Sequence, residues 1–133
     1  MTSISPKATN LSPDIVLGAD EHRRLTDLAL ARAGRSDSDW LLRELERARV
    51  VPDAKVPKDV VRMHSAVVFR TEDGNERVVD LVFPKEADID SHKISVLTPI
   101  GAALIGLRAG KSIACPTRNG RQQVLTVLSV TQP

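Results

Sequence analysis

The stretch that decides the fold is VLTPIGAALIGLRAGKSI, residues 96–113. Thr98 is a favoured helix N-cap residue, and Pro99 follows it at the first helical position, where the missing N–H of proline costs nothing. Mostly apolar residues continue to Ile105, and Gly106 can take the left-handed conformation that ends a helix. The stretch therefore predicts one short apolar helix that packs against a sheet.

Extended segments flank this helix on both sides. Alternating apolar and polar residues surround two turn signals, Glu72–Asn75 and the dipeptide Asn119–Gly120, and each signal is typical of a β-hairpin. A polar loop over residues 85–93 separates the first hairpin from the helix. The predicted strands cover residues 67–69, 79–83, 94–96, 111–115 and 122–130. An antiparallel sheet with one helix follows, which is an α+β domain.

Upstream of this domain, the sequence predicts a short antiparallel helical hairpin. Asp20 can cap a first helix, whose apolar residues recur at helical spacing and which Gly34 can end. A loop over residues 35–39, rich in N-capping residues, precedes a second helical pattern that starts at Trp40. Arms of about 12 to 15 residues would each be roughly 20 Å long.

These patterns divide the chain into four segments. We expect a flexible leader over residues 1–14, the helical hairpin over 15–50, a linker with two prolines over 51–59 and the α+β domain over 60–133. The apolar run Ile15–Leu17 predicts either a brief strand or a hydrophobic staple for the first helix.

Charge is distributed unevenly along the 133 residues, whose formal net charge is +2. Residues 51–90 hold six Lys or Arg and nine Asp or Glu, whereas residues 91–133 hold five basic residues and no acidic ones. The C-terminal part is therefore a candidate basic face for an acidic partner or for phosphate, although a solvated surface explains the same charges. The basic residues are Lys93, Arg108, Lys111, Arg118 and Arg121.

Composition excludes several classes of protein. The lone Cys115 gives no disulfide framework, and the chain has neither a signal peptide nor an apolar run long enough to cross a membrane, so we expect a cytoplasmic protein. Trp40, Phe69 and Phe83 are the only aromatic residues, which argues against recognition of single-stranded nucleic acid by base stacking.

Candidate catalytic groups are also weak. His64, Ser65 and Asp80 are the residue types of a hydrolytic triad, but adjacent residues on a strand point to opposite faces. The segment Gly101–Gly106 lacks the Lys and Ser or Thr of a phosphate-binding loop, and Cys115 lies in an apolar strand that favours an inert thiol. The histidines have no metal-ligand spacing. We expect no enzyme activity, no metal and no cofactor.

Residues 96–113 resemble the Gre transcription factors, because a proline, three glycines and the apolar positions between them match a stretch typical of that family. The segments 63–68 and 79–83 are also similar, so the resemblance covers about residues 55–130. The N-terminal part and the linker resemble the Rnk branch, named as regulators of nucleoside diphosphate kinase, in which the long coiled coil of Gre factors is shortened.

The resemblance implies an FKBP-like C-terminal domain that docks on the rim of the RNA polymerase secondary channel. It assigns polymerase binding to the loop Val96, Leu97, Thr98 and Pro99. Gre factors carry acidic residues at the tip of the coiled coil that help to hold a catalytic metal. Asp37 and Asp39 lie at the corresponding tip, where helix capping explains them as well.

The resulting interpretation is a bacterial, non-enzymatic polymerase regulator that competes with Gre factors without stimulating transcript cleavage. Alternatives are an elongation factor that does stimulate cleavage, a DNA-binding elongation module that uses the basic residues, and a peptidyl-prolyl isomerase. The expected partner is core RNA polymerase, with weak contact to nucleic acid, and no membrane or small-molecule substrate.

Overall fold

A computed structural model describes residues 11–32, 36–117 and 121–133, without the side chains of Ser36 and Asp37. The Asn119–Gly120 turn and Gly34 therefore lie outside the described residues, as do most of the leader and the loop between the two helices.

Five strands form the main sheet. They are β3 (Ala66–Arg70), β4 (Glu76–Val82), β5 (Lys93–Ser95), β6 (Ser112–Pro116) and β7 (Gln122–Thr131). Their order across the sheet is β5-β4-β3-β7-β6, and all neighbours are antiparallel except β4 and β5. The predicted α+β class with a mostly antiparallel sheet is confirmed.

The parallel pairing of β4 and β5 corrects the expectation of a wholly antiparallel sheet. The loop before β5 contains two 3-10 turns, Pro84–Glu86 and Ile89–Ser91. This loop carries the chain back towards the start of β4. Strand β5 therefore runs in the same direction as β4, with Leu81 opposite Ile94.

The helix α3 (Pro99–Leu104) is capped as the sequence predicts. The Thr98 side chain accepts a hydrogen bond from the Gly101 backbone N–H at 3.0 Å, and Gly106 follows the helix with a φ of 76°. A Cβ atom on Gly101 would overlap the backbone carbonyl of Ser95, so only glycine fits where the helix meets the end of β5.

The helical hairpin consists of α1 (Ala19–Ala31) and α2 (Ser36–Arg47). Two predicted boundaries are wrong. Gly18 rather than Asp20 is the N-cap of α1, because Asp53 accepts a hydrogen bond from the Asp20 backbone N–H at 2.8 Å and satisfies the helix start from a distant part of the chain. The second helix begins at Ser36, so most of the predicted loop over residues 35–39 is helical.

A two-stranded parallel sheet lies beside the hairpin. It joins β1 (Val16–Gly18), the predicted brief strand, to β2 (Arg49–Val51), at the start of the predicted linker. Just before β1, the backbone oxygen of Leu11 accepts a hydrogen bond from the Ala114 N–H at 2.9 Å, and that of Pro13 accepts one from Arg47 at 2.6 Å. The residues nearest to β1 therefore contact both α2 and β6.

One hydrophobic core joins the hairpin to the main sheet. Its buried side chains come from α1, α2, the main sheet and α3, and they include Leu25, Ala29, Leu41, Leu45, Phe69, Leu81, Leu104 and Leu125. Burial of this apolar surface is the main force that holds the helices against the sheet. The hairpin is therefore packed against the α+β domain.

Polar contacts also hold the hairpin against the rest of the domain. Arg62 forms salt bridges with Glu21 at 3.7 Å and Asp53 at 2.9 Å, and the Arg24 guanidinium lies 4.9 Å from the centroid of the Phe83 ring. These contacts join α1 to the segments before β3 and after β4.

Candidate docking surface

Local hydrogen bonds hold the loop between β5 and α3 in place. The Thr98 hydroxyl donates to the Ser95 backbone oxygen at 2.8 Å, and the Ser95 hydroxyl accepts from the Leu97 N–H at 3.0 Å. Together with the Thr98–Gly101 cap, these bonds hold Thr98 on the surface, while Pro99 and Ile100 are half-buried beside it. The loop presents a fixed surface to a partner.

Two of the four residues that the resemblance assigns to polymerase binding are not accessible to a partner. Val96 is fully buried and Leu97 is 5% exposed, because both side chains turn into the core below α3. The Thr98 and Pro99 side chains are therefore the accessible ones among the four residues assigned to polymerase binding.

A wide groove opens beside Thr98 and Pro99. Its volume is about 890 Å³, and Val78 (58% exposed) and Ile89 (85% exposed) line it together with the half-buried Ile94. Val78 occupies an outward position of β4, and Ile89 lies among acidic residues. In the sequence, these two apolar residues at positions where solvent favours polar ones are the signal that could have identified the groove.

Two basic side chains and one acidic side chain line this groove. Arg77 and Lys93 are exposed and form no salt bridge with any residue in the described ranges. Glu76 also lines the groove, but Arg70 neutralises it through a salt bridge at 3.1 Å. An apolar surface with a basic rim favours an acidic, partly apolar partner.

The predicted basic residues lie in two separate regions of the surface. Lys93 lines the groove, and Arg121 is adjacent to it, since its backbone oxygen accepts from the N–H of Thr117 in the groove wall at 2.7 Å. Arg108 and Lys111 lie before β6, where Arg108 forms a salt bridge with Asp59 at 3.3 Å. Arg118 lies outside the described residues.

The end of α1 lies close to the loop between β5 and α3, which is called the docking loop below. A pocket of about 350 Å³ is lined by Arg32, at the end of α1, by Pro84 and by the loop residues Thr98 and Pro99. Asp39 is exposed on the first turns of α2, whereas the side chain of Asp37 lies outside the description. A partner that contacts the loop therefore also meets the end of the hairpin.

The candidate catalytic residues have structural partners. His64 hydrogen-bonds Glu86 at 2.9 Å, which lowers the pKa of the Glu86 carboxyl, and the Ser65 hydroxyl accepts from the Arg62 N–H at 2.9 Å. Cys115 is fully buried, and this burial raises its thiol pKa to about 11. Such a thiol is a poor nucleophile at neutral pH.

Among the residues that the structure describes, no three His, Cys, Asp or Glu side chains come close enough together to hold a metal ion. None of the helices within residues 11–32, 36–117 and 121–133 is long and apolar enough to cross a lipid bilayer.

Several known proteins are similar to this chain. The family model described as "Transcription elongation factor, GreA/GreB, C-term" matches residues 56–132. The regulator of nucleoside diphosphate kinase from Escherichia coli (strain K12) is 38% identical over 122 residues, which cover 89% of each chain. A transcription elongation factor GreA from Rhodospirillum rubrum is 34% identical over 110 residues, which cover 77% of this chain and 70% of that protein. The solved structure of the prokaryotic transcription elongation factor GreA/GreB from Nitrosomonas europaea is 36% identical with a TM-score of 0.71, and the match covers 91% of this chain and 100% of that chain.

Proposed function

This chain belongs to the GreA/GreB family of transcription elongation factors, and from this premise we propose that it binds bacterial RNA polymerase at the rim of the secondary channel. There it competes with Gre factors in the cytoplasm, and it does not stimulate transcript cleavage. Its action is that of a transcription regulator without enzyme activity of its own.

The observation that carries the docking proposal is the groove beside Thr98 and Pro99. Two of its side chains, Val78 and Ile89, are large, apolar and mostly exposed, so a partner that covered them would gain free energy from their burial. The groove volume of about 890 Å³ is large enough to accept side chains from a partner helix or loop. Its basic rim favours an acidic segment of the polymerase.

The packed hairpin supports the absence of cleavage. Cleavage by a Gre-type mechanism requires a carboxylate that reaches the catalytic metal of the polymerase. The Asp39 carboxylate lies on a 12-residue helix whose residues Leu41 and Leu45 are buried in the core of the domain. A helix held in this way cannot extend down the channel while the domain remains on the rim.

The other two alternatives find less support. An isomerase pocket is usually lined with aromatic residues, but Phe69 is buried in the core and Phe83 packs against His64 and Arg24. A DNA-binding module would use the basic residues to contact phosphate groups, but Asp59 offsets the charge of Arg108 through a salt bridge. Retention on DNA that falls steeply with salt would favour that module over a polymerase regulator.

The docking proposal is tested by retention of purified core RNA polymerase on the immobilised protein. Ile89→Asp and Val78→Asp place a carboxylate in the groove at exposed positions, so they should reduce retention at least about tenfold while the melting temperature changes little. Leu30→Asp is the matched control, because Leu30 is 56% exposed on α1 and does not line the groove.

Retention of the wild-type protein and of both groove variants to the same extent would place the interface elsewhere. A wild-type protein that fails to retain polymerase would remove the basis of the proposal.

A further inference from the structure

A third concave site lies on the other side of Pro99, between α2 and the surface formed by α3 and β6. It is an open cleft of about 250 Å³. Side chains from both sides line it, including Trp40, Arg43, Ala102, Ala103, Ile113 and Gln122. No catalytic or docking role assigned above uses these residues.

The floor and one wall of the cleft suit a flat apolar group. Trp40 is the only tryptophan of the chain, and it forms part of the α2 wall with its inner side packed against the core. Ala102 and Ala103 are almost fully buried, and their small side chains leave the floor shallow. The partly exposed indole of Trp40 is therefore the surface on which one aromatic ring can stack.

The charge of the cleft is positive because of one arginine. Arg43 is exposed and forms no salt bridge with any residue that the structure describes. Glu44, the carboxylate on the same wall, is neutralised by two hydrogen bonds from Arg47, at 2.7 and 2.9 Å. A guanidinium without a carboxylate partner can bind a phosphate group through two parallel hydrogen bonds.

We propose that the cleft binds a nucleoside phosphate, with the base stacked on Trp40 and the phosphate paired with Arg43. The volume accepts one base but not a strand of stacked bases. Gln122 at the edge offers both donors and acceptors to the polar edge of a base. The ligand is an effector that is bound and released unchanged, since Glu44, the carboxylate that lines the cleft, is held by two hydrogen bonds from Arg47.

A ligand in the cleft can affect the docking surface, because the cleft and the groove share Pro99. Pro99 lines the cleft on one side and the groove on the other, so a base in the cleft contacts the back of the docking loop. This effect on docking rests on the proposed polymerase binding, whereas ligand binding in the cleft does not depend on it.

The test titrates the full-length protein, without polymerase, with ADP and follows the fluorescence of Trp40. Since no other tryptophan or tyrosine is present, the signal reports on this cleft alone. Saturable quenching by ADP is expected, with weaker binding of adenosine and no quenching by pyrophosphate. Arg43→Gln should weaken ADP binding about tenfold, and Arg49→Gln, which removes an exposed arginine on β2, should leave it unchanged.

Calorimetry provides a second measurement that does not depend on the fluorophore. Trp40→Phe keeps a flat ring and should retain binding of ADP, whereas Trp40→Leu should lose it; unchanged thermal unfolding of both variants establishes that they fold. Quenching that does not saturate, equal affinity for ADP and adenosine, or equal affinity of Arg43→Gln and wild type would each overturn the proposed site. Polymerase retention is measured separately, so failure of one proposal is distinguishable from failure of the other.

Discussion

Leu97 and Thr98 are neighbours in the sequence but lie in opposite environments. Leu97 packs into the core, and Thr98 caps α3 on the surface. The cap was predictable because it depends on residues only three positions apart. The burial of Leu97 was not, because it depends on how the end of β5 meets α3, and no local pattern encodes that contact.

A pair of substitutions separates these two roles. Leu97→Asp should lower the free energy of unfolding by about 3 kcal/mol or more, because it removes core packing and buries a carboxylate. Thr98→Asp should change stability by less than about 1 kcal/mol, because aspartate is also a good N-cap. Chemical denaturation measures both values, and a Leu97→Asp protein as stable as wild type would show that this side chain is exposed.

Two glycines show the same difference between a feature that local sequence predicts and one that it does not. That Gly106 follows a helix could be read from the sequence, and its φ of 76° agrees. The need for glycine at position 101 arises from the nearby carbonyl of Ser95, six residues earlier, which becomes visible only once β5 and α3 are placed together.

At the scale of elements, the sequence predicted which segments are helical or extended better than how they pair. Hairpin strands such as β3 and β4 pair through a short turn, which carries its own signal. The parallel pairs β1–β2 and β4–β5 join segments through longer connections, and their direction depends on the path of the chain between them. The packing of the hairpin on the sheet was missed for a similar reason, because an apolar helix face does not identify the surface that covers it.

The contact between α1 and the segment before β3 contains a carboxylate in an unfavourable environment. Burial raises the pKa of Glu21 above its usual value of 4.5, although the nearby Arg62 opposes this shift. One of its two oxygens, Oε1, is buried without a hydrogen-bond partner. Ionisation of Glu21 is therefore less favourable in the folded state than in the unfolded state, even with Arg62 nearby.

The sign of the pH dependence follows from this raised pKa. The contribution of Glu21 to stability is fully present below the unfolded pKa and is lost as the pH rises through the folded pKa. Glu21→Gln mimics the neutral form, so its stability relative to wild type should increase as the pH is raised from about 4 to 7. Denaturation at several pH values measures this difference.

Glu46→Gln, at an exposed carboxylate on α2, is the control and should show no such trend. If Glu21→Gln instead became less stable relative to wild type with rising pH, the salt bridge with Arg62 would dominate over burial.

For the whole molecule, the central expectation is binding to polymerase without cleavage. The two helices have 13 and 12 residues, so they are roughly 20 and 18 Å long. Because both helices pack against the core and Arg32 shares a pocket with Thr98 and Pro99, this end of the hairpin stays near the loop before α3. Added to a backtracked elongation complex, the protein should displace a Gre factor and leave the transcript at full length.

The double variant Asp37→Ala/Asp39→Ala is the matched control for this assay, and it should compete as well as the wild type does. Transcript shortening that disappears in the double variant would contradict the proposal, since it would show that the tip reaches the catalytic metal.

Pro99 lies where three concave surfaces meet: the groove, the cleft and the small pocket beside Arg32. Mutations at Trp40 or Val78 alter one surface each, so selection can act on the cleft and on the groove separately. A mutation at Pro99 changes the shape of all three surfaces in one step. In evolutionary terms, the proposed ligand site and the proposed partner surface can diverge separately at residues such as Trp40 and Val78, whereas a change at Pro99 affects both.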